Sequence, residues 1–425
     1  MSGAPAKGLG ARKAALRMLD GVLGRGLSLD SVAEQATQGL AKLEDRGLAA
    51  AIAGEVLRRL PDYDALIDSV TKRRLADDAK PRMVLRMALA QALALGTPPH
   101  AAISTALPLL AGGQRRLVHG VFGTLMRQDV RLPERPTLPA AVADRWRDQW
   151  GAATVEAAAR AIAAPPPLDL TLRDPADTGQ WATELGGRGL LPGHLRVDRQ
   201  SVAALPGYGE GAWWVQDVSA SLPARLLGPG EGRRALDLCA APGGKTLQLA
   251  AAGWRVTALD IAQSRLARLS DNLARTGLAA ELVAGDVIEW EPDEPFDAVL
   301  LDAPCSATGI FRRHPDVLHR VTEKMIGHSA TLQRKMIERV ADWVKPGGRI
   351  VYAVCSLERA EGEEVANVFL GARGEFALAP AECALPSGIA PTADGFLRIL
   401  PGAIDDPGGA DGFFIAAFER RADSS

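Results

Sequence analysis

The spacing of apolar residues changes along the chain and separates it into two regions. Over residues 11–128, apolar side chains recur every three or four positions, which predicts amphipathic helices without a strand. Pro99, followed by His100, interrupts the pattern, so we expect a boundary between two helices there. This spacing predicts an all-α bundle over residues 11–130. Residues 1–10, rich in Gly, Ala and Lys, are expected to be disordered.

Beyond residue 165 the pattern changes to apolar strands separated by helical stretches. Helices are predicted at 262–276, 322–344 and 361–370, and strands at 168–173, 255–260, 280–285, 296–303, 349–355 and 412–419. Apolar strands that alternate with helices are typical of a parallel sheet covered on both faces. This pattern predicts a Rossmann-like α/β domain, which we place at residues 213–425.

Prolines mark the segment that joins the two regions. Pro133, Pro136 and Pro139 precede an amphipathic stretch that contains Trp146 and Trp150, and three more prolines follow at 165–167. Proline disfavours a helical conformation at the residue before it, so these positions indicate helix ends. We expect a helical linker over residues 131–165.

Length and composition narrow the class of protein. A chain of 425 residues exceeds one ordinary core, and 47% hydrophobic with 24% charged residues is typical of soluble globular domains. No uncharged run approaches about 18 residues, and the N-terminal residues lack an apolar core. We therefore expect no membrane span, no secretory signal and a cytoplasmic protein.

Charge is divided unevenly between the two regions. Residues 1–140 hold 20 Lys and Arg against 13 Asp and Glu, whereas the remainder holds 29 against 38. A basic module joined to an acidic one is compatible with RNA docking through the first module. An ordinary solvated surface explains the same numbers equally well.

The cysteines indicate chemistry through their positions. Cys239, Cys305, Cys355 and Cys383 form no CxxC pair, so neither a disulfide framework nor a metal site is expected. Cys305 and Cys355 each follow the end of a predicted core strand, where parallel strands present ligand-binding residues. We expect these two thiols to face one cleft, and Cys239 and Cys383 to be inert apolar side chains.

A glycine-containing turn lies between a predicted strand and helix at residues 235–247, ALDLCAAPGGKTL. Its two glycines are adjacent, so the turn matches neither GxxxxGK[ST] nor GxGxxG, and a phosphate cradle is disfavoured. Asp260 ends the next strand about 20 residues later, where an acid can accept hydrogen bonds from ribose hydroxyls.

Residues 237–246 match every fixed position of D-x-C-A-A-P-G-G-K-T, and in this the chain resembles the Sun family of RNA 5-methylcytosine methyltransferases. Residues 302–309 match the family's D-A-P-C-S-x-x-G, and Cys355 with Ser356 matches its T-C-S except for Val354 in place of threonine. The resemblance implies S-adenosyl-L-methionine (SAM) as cofactor. The cofactor contacts it implies are Cys239, Ala240, Ala241, Pro242, Gly243, Gly244, Lys245, Asp260, Arg265, Asp286 and Asp302.

The resemblance also implies catalytic roles. Cytosine C5 is a poor nucleophile until a thiolate adds to C6, and the base must leave its stack to be reached. The family uses the cysteine of T-C-S for attack and that of P-C for product release, which makes Cys355 the nucleophile and Cys305 the release residue. DNA cytosine methyltransferases use the P-C cysteine instead. Asp302 is expected to hydrogen-bond the N3 edge, and Lys245 to meet the methionine carboxylate or the base.

Other segments extend the resemblance. Arg312 and Arg313 belong to a family-like R-R-x-P-D segment and are predicted to contact RNA phosphates. Residues 11–130 resemble the NusB-like domain of bacterial family members, which implies RNA binding, and residues 166–212 are expected to form a small substrate-side α/β subdomain. The expected protein is a monomeric enzyme acting on 16S rRNA, without a metal. The alternatives are a tRNA methyltransferase with the same chemistry and a catalytically silent RNA-binding assembly factor.

Overall fold

A computed structural model describes residues 8–198 and 200–422, and the chain forms two compact units. The helical unit comprises residues up to Ala164 and a second segment, Phe311–Val321. The α/β unit comprises the stretch from Pro165 to Ile310 and the chain from Thr322 onward. The expected disorder of residues 1–10 falls mainly outside the described residues, but α1 already begins at Leu9, so it is wrong for the last two positions.

The helical unit is built around one buried helix. Its helices, numbered in chain order, are α1 (Leu9–Leu19), α2 (Leu29–Thr37), α3 (Leu43–Arg58), α4 (Leu60–Val70), α5 (Lys80–Leu93), α6 (Pro99–Ala106), α7 (Gly112–Arg127), α8 (Ala140–Trp150), α9 (Ala152–Ala161) and α14 (Val317–Arg320). Every residue from 81 to 91 of α5 is buried. The α5 residues Arg82 and Arg86 bind Asp68 and Asp64 of α4, at 2.6 and 2.7 Å, so their burial is compensated by charge.

Two segments belong to the helical unit although the sequence suggested otherwise. The expected linker, 131–165, forms α8 and α9, and Trp146 is fully buried against Phe311, with ring centroids 5.4 Å apart. The segment that contains Phe311 was assigned to the catalytic domain, which is wrong. Its apolar residues are buried, and His319 Nε2 lies 2.7 Å from the carbonyl oxygen of Leu57.

The α/β unit contains two sheets. Its strands are β1 (Leu168–Leu172), β2 (Arg188–Leu191), β3 (His194–Val197), β4 (Trp213–Val215), β5 (Arg234–Leu238), β6 (Arg255–Asp260), β7 (Glu281–Ala284), β8 (Phe296–Asp302), β9 (Val344–Val354), β10 (Phe376–Leu378), β11 (Leu397–Ile399) and β12 (Phe413–Arg420). Its helices are α10 (Thr178–Glu184), α11 (Val218–Arg225), α12 (Gly244–Ala251), α13 (Gln263–Thr276), α15 (Glu323–Val340) and α16 (Glu363–Ala372).

The smaller sheet is antiparallel, in the order β2-β3-β1-β4. Trp213 pairs with Leu172 across β4 and β1 and is fully buried among the apolar residues of this sheet. A domain boundary at residue 213 is therefore wrong, because β4 belongs to the small sheet and the chain leaves it only after Val215. Both tryptophans of the edge strand β4 are buried, Trp213 in the core of the small sheet and Trp214 among apolar residues of α12 and α13.

The larger sheet has the order β10-β12-β9-β8-β5-β6-β7, with β11 paired to β12, and it confirms the Rossmann-like fold. Strands β5 to β9 run parallel, but β12 is antiparallel to β9, β10 and β11, so the expectation of an all-parallel sheet is wrong. A strand buried on both faces is apolar whichever way it runs, so its pattern does not fix its direction. The register aligns the carboxyl ends of the parallel strands: Leu238 lies beside Leu259 and Leu301.

Candidate functional site

The turn after β5 has a backbone that only certain residues accept. Cys239 has a φ of 58°, and Gly243, with a φ of 110°, caps α12. A Cβ on Gly243 would lie 2.1 Å from Leu269 Cδ1, so glycine is required both for its conformation and for close packing on α13. The peptide bond between Ala241 and Pro242 is cis. The turn brings the first amides of α12 to the carboxyl edge of the sheet, where they can face an anionic group.

Asp237 joins β5 to α12 from below this turn. It is fully buried, and its Oδ2 accepts a hydrogen bond of 2.6 Å from Thr246 Oγ1. Burial raises the pKa of Asp237 to about 7, although Thr246 and Lys245 act in the opposite direction. Asp237 therefore supports the turn.

Asp260 and Asp286 follow as predicted at the ends of β6 and β7. Asp260 is fully buried; it accepts hydrogen bonds from the amides of Ala241 and Ala262, at 3.2 and 2.9 Å, and from Arg265, at 2.7 Å. Asp286 accepts a 2.9 Å bond from the amide of Ile288. Through Oδ2, Asp260 thus fixes the glycine turn to β6. The half-exposed Arg265 forms an ion pair with its Oδ1.

Lys245 and Asp302 form an ion pair between α12 and the end of β8. Lys245 Nζ lies 2.6 Å from Asp302 Oδ2 and 5.4 Å from the ring centroid of Phe413. Burial by itself lowers the pKa of Lys245, but Asp302, with smaller contributions from Asp237 and Cys355, outweighs it and the net shift is upward. The ammonium group is therefore charged at neutral pH, and it fixes the Asp302 carboxylate.

The side chains of the two strand-end cysteines are in contact. Cys305 Sγ and Cys355 Sγ are 3.5 Å apart, both partly buried, as expected of thiols that face one cleft. The hydrogen bond with Cys355 and burial raise the pKa of Cys305 well above its ordinary value. Burial also raises the pKa of Cys239, to about 12, and that of Cys383. These three thiols hold their protons at neutral pH, which favours inert roles for Cys239 and Cys383.

The loops that carry the two cysteines are joined by backbone and side-chain bonds. Gly309 N donates to the carbonyl oxygen of Cys355 at 3.0 Å, and Leu357 N donates to Thr308 Oγ1 at 3.0 Å. Gly412 N donates to the carbonyl oxygen of Gly309 at 2.8 Å, so the start of β12 packs directly on the first cysteine loop. The residues that lead into β12 thus help to hold the first cysteine loop in place.

Glu361 also contacts both loops, and sequence reasoning missed it. Its carboxylate accepts hydrogen bonds from Ser306 and Ser356, the residues that follow the two cysteines. In the sequence it is the first residue of the helix predicted at 361–370, where a glutamate is ordinarily exposed. A signal was available: Glu361 lies only six residues after a strand-end cysteine, at the first position of the predicted helix.

The two arginines predicted to contact phosphate lie in the helical unit. Arg312 is 2% exposed, and its carbonyl oxygen accepts a 2.7 Å bond from Arg58 Nη2. The structure places Arg312 inside the helical unit beside Phe311, whose ring packs on Trp146, and the contact of Arg312 with RNA phosphate stays a prediction. Arg313 is half-buried, and its contact with RNA stays a prediction.

The described residues hold neither a cluster typical of a metal site nor a helix typical of a membrane span. Within residues 8–198 and 200–422, no group of three or more His, Cys, Asp or Glu side chains is arranged to hold a metal ion. In the same residues no helix is both long and apolar enough to cross a membrane.

The chain is similar to known proteins over nearly its whole length. A family model described as 16S rRNA methyltransferase RsmB/F matches residues 224–419, and the NusB family model matches residues 9–116. Ribosomal RNA small subunit methyltransferase B of Xylella fastidiosa is 36% identical over 436 residues, which are 96% of this chain and 97% of that protein. Its namesake from Klebsiella pneumoniae is 33% identical over 394 residues, covering 86% and 90%.

The fold is also found among solved structures. The crystal structure of PH0851 matches with a TM-score of 0.75, covering 98% of this chain and 100% of that chain. Its sequence identity of 23% supports a shared fold and nothing more specific.

Proposed function

The chain belongs to the RsmB/F family of 16S rRNA methyltransferases, and from this premise we propose that it methylates C5 of a cytosine in 16S rRNA through a covalent cysteine adduct. As a member of the family it is a SAM-dependent rRNA methyltransferase. The observation that carries the finer proposal is the pair of thiols, 3.5 Å apart, at the ends of adjacent parallel strands. Work on ribosomal RNA would place the protein in the cytoplasm.

The residues at the carboxyl edge of the sheet fit SAM. Three carboxylates, of Asp260, Asp286 and Asp302, end or follow neighbouring strands beside the turn that caps α12. SAM, when bound, supplies an electrophilic methyl group, and it carries hydroxyl and amino groups that carboxylates can bind. Asp260 would accept ribose hydroxyls after Arg265 releases its oxygen. The predicted turn residues 239–245 would hold the methionine end, where Lys245 can meet a carboxylate.

Cys355 is the proposed nucleophile. Its thiolate adds to C6 of the flipped base, and the electrons of the C5–C6 double bond then make C5 an enamine carbon that takes up the methyl group. The neighbouring Cys305 holds its proton, since its pKa is raised by the bond with Cys355 and by burial. The choice of Cys355 over Cys305 as the nucleophile rests on the match of Cys355 and Ser356 to the family's T-C-S.

The remaining groups are proposed to steer the base and release the product. Asp302, held by Lys245, is proposed to face the N3 edge, where its protonated form donates to N3 and offsets the negative charge that develops on the ring. After methyl transfer, solvent takes the C5 proton, the electron pair of the C5–H bond re-forms the C5–C6 double bond, and Cys355 leaves C6 as a thiolate, which restores the aromatic ring. Cys305, beside that bond, assists this step.

Labelled methyl transfer from SAM to unmodified 16S rRNA, with tRNA and DNA as controls, tests the proposal. Cys355→Ala is expected to abolish transfer, and Cys305→Ala to accumulate a covalent RNA adduct visible on a denaturing gel. Transfer that survives in Cys355→Ala would show that another group is the nucleophile. Transfer only to tRNA would change the substrate, and no transfer to any RNA despite SAM binding would favour an assembly factor.

A further inference from the structure

Glu361 is a buried acid at the centre of the site that the mechanism above does not use. It ends a short turn, Arg359–Glu361, before α16, and its side chain has no exposed surface. Burying a carboxylate is costly unless hydrogen-bond donors surround it. Here Ser306 N donates to Oε1 at 2.7 Å, Ser356 Oγ donates to Oε2 at 2.5 Å, and Ser306 Oγ donates to Oε2 as well.

The donors come from two separate loops. Ser306 directly follows Cys305, and Ser356 directly follows Cys355, so one carboxylate connects the residues next to both thiols. The two serine hydroxyls are 3.3 Å apart, close to the 3.5 Å between the two sulfur atoms. Gln333 of α15 completes the surroundings, with Nε2 at 2.9 Å from the carbonyl oxygen of Pro304 and 3.4 Å from Glu361 Oε1.

We propose that Glu361 is a positioning residue for the methyl-transfer reaction, whose carboxylate holds the two cysteine loops together and so fixes the spacing of the thiols. The role rests on the proposed function, because only a mechanism with two cysteines on one base needs that spacing. Glu361 touches neither sulfur in the hydrogen-bond network, and it acts through the serines.

The hydrogen bonds from Ser306 and Ser356 to the Glu361 carboxylate form a bridge between the two cysteine loops. Their chemistry explains why position 361 holds an acid. The Ser306 amide can only donate, and an ionised carboxylate accepts from that amide and from both hydroxyls at once. A glutamine would keep one acceptor for the amide, and its NH₂ group would face the hydroxyls, which can rotate to accept. Glu361→Gln should therefore keep part of the bridge, whereas Glu361→Ala removes it.

The proposal is tested by measuring thiol spacing directly, without RNA. The full-length protein is treated with diamide, which takes two electrons and two protons from a pair of thiols and becomes a hydrazine as the disulfide forms. The crosslinked tryptic peptides of Cys305 and Cys355 are quantified over time. In Glu361→Ala we expect crosslinking to slow about tenfold, with Glu361→Gln in between, since reaction between held groups depends steeply on geometry.

Activity provides the second readout. In Glu361→Ala we expect kcat for RNA methylation to fall about 100-fold, because a shift of about 1 Å has that effect, while KM for SAM changes by less than about threefold. Val365→Ala is the matched control. Val365 is fully buried on the adjacent helix α16 and contacts the same core, so its truncation lowers stability without touching the bridge.

The outcomes separate the possible explanations. Wild-type crosslinking and kcat in Glu361→Ala would overturn the proposal, as would equal losses in Val365→Ala at a matched melting temperature. Slow crosslinking in Glu361→Ala together with wild-type protein inactive on every RNA would keep the positioning role and reject the proposed reaction. Ser306→Ala and Ser356→Ala each break one side, and we expect the double variant to be no slower than Glu361→Ala.

Discussion

The ionised form of Asp237 is less favourable in the folded chain than in the unfolded chain. Its pKa is raised to about 7 by burial, from an ordinary value of 3.8. Between these values the folded chain holds a proton that the unfolded chain has lost. Because the folded state binds more protons there, the free energy of unfolding falls as pH rises from about 4 to about 7 and then levels.

Replacing this carboxyl should remove that pH dependence. Asp237→Asn keeps an acceptor for Thr246 and cannot ionise, so we expect it to be about 2–4 kcal/mol more stable than wild type at pH 8 and close to wild type at pH 4. Urea unfolding at both pH values measures this. Asp271→Asn, on the exposed face of α13, is the control and should leave the difference between the two pH values unchanged. If the free energy of unfolding of Asp237→Asn changed between pH 4 and pH 8 as much as that of wild type, Asp237 would not be the source of the pH dependence.

Gly309 has no room for a side chain. A Cβ there would lie 2.0 Å from the carbonyl oxygen of Gly412, which is backbone and cannot rotate away. We expect Gly309→Ala to push β12 from the first cysteine loop, to cost about 1–3 kcal/mol, and to reduce methyl transfer. Gly327→Ala is the comparison: its Cβ meets nothing within 4 Å inside α15, and it should stabilise by about 0.5–1 kcal/mol. Thermal unfolding of the two variants should thus shift in opposite directions.

At the scale of elements, one buried arginine connects the small sheet to the segment before β12. Arg196 of β3 binds both oxygens of Asp169 on β1, at 2.7 and 2.8 Å, and also Asp406 and the carbonyl oxygen of Gly409, each at 2.6 Å. Burial alone raises the pKa of Asp169, but Arg196 and His194 outweigh it and the net shift is downward. The stability that this pair contributes is therefore present above about pH 4 and lost as pH falls further.

Removing the cation should destabilise the small sheet. Arg196→Met removes the guanidinium that binds both oxygens of the buried Asp169 carboxylate, and we expect a loss of about 3–5 kcal/mol at pH 7, smaller at pH 3 where the acid is partly protonated. Arg188→Met is the matched control, because Arg188 is half-exposed and binds the same Asp406. An exposed pair contributes about 1 kcal/mol or less. Equal losses in both variants, measured by urea unfolding, would contradict this account.

The bounds of some elements were predicted well because residues next to each other in the sequence determine where these elements begin and end. The predicted strand at 255–260 has the bounds of β6, since an apolar run between charged residues determines both ends. The predicted helix at 322–344 ends early, at Val340, and β9 begins at Val344. The direction of β12 and the membership of β4 depend on pairing between distant segments, which periodicity does not encode.

The site residues that lie in motifs at strand ends could be predicted from the sequence. Those whose place depends on contacts between distant segments could not. Cys305 and Cys355 meet as expected, because parallel register aligns the ends of β8 and β9. The burial of Arg312 was not predictable from its motif, because it depends on where Phe311 packs. Glu361 was overlooked since its donors are brought near only by folding.

At the scale of the whole molecule, the packing of segment 311–321 limits how RNA docking can be studied. Deleting the helices before residue 130 would remove Leu57 and Arg58, which contact His319 and Arg312, and would disturb this segment between β8 and α15. Surface charge offers a cleaner test. Residues 111–117, at the start of α7, are all exposed and include Arg115 and Arg116, and α7 contains no acidic residue.

Reversing one charge on α7 tests whether the helical unit contacts RNA. If Arg116 neutralises a phosphate, its contact releases counterions, so Arg116→Glu should weaken 16S rRNA binding and reduce the slope of log K against log salt by about 1. Lys13→Glu, exposed on α1 of the same unit, makes the same change in net charge at a different place. Filter binding over a salt series measures both slopes. Because long-range charge would affect both variants alike, a loss confined to Arg116→Glu indicates direct contact, and unchanged slopes in both would assign the exposed start of α7 to a role other than RNA docking.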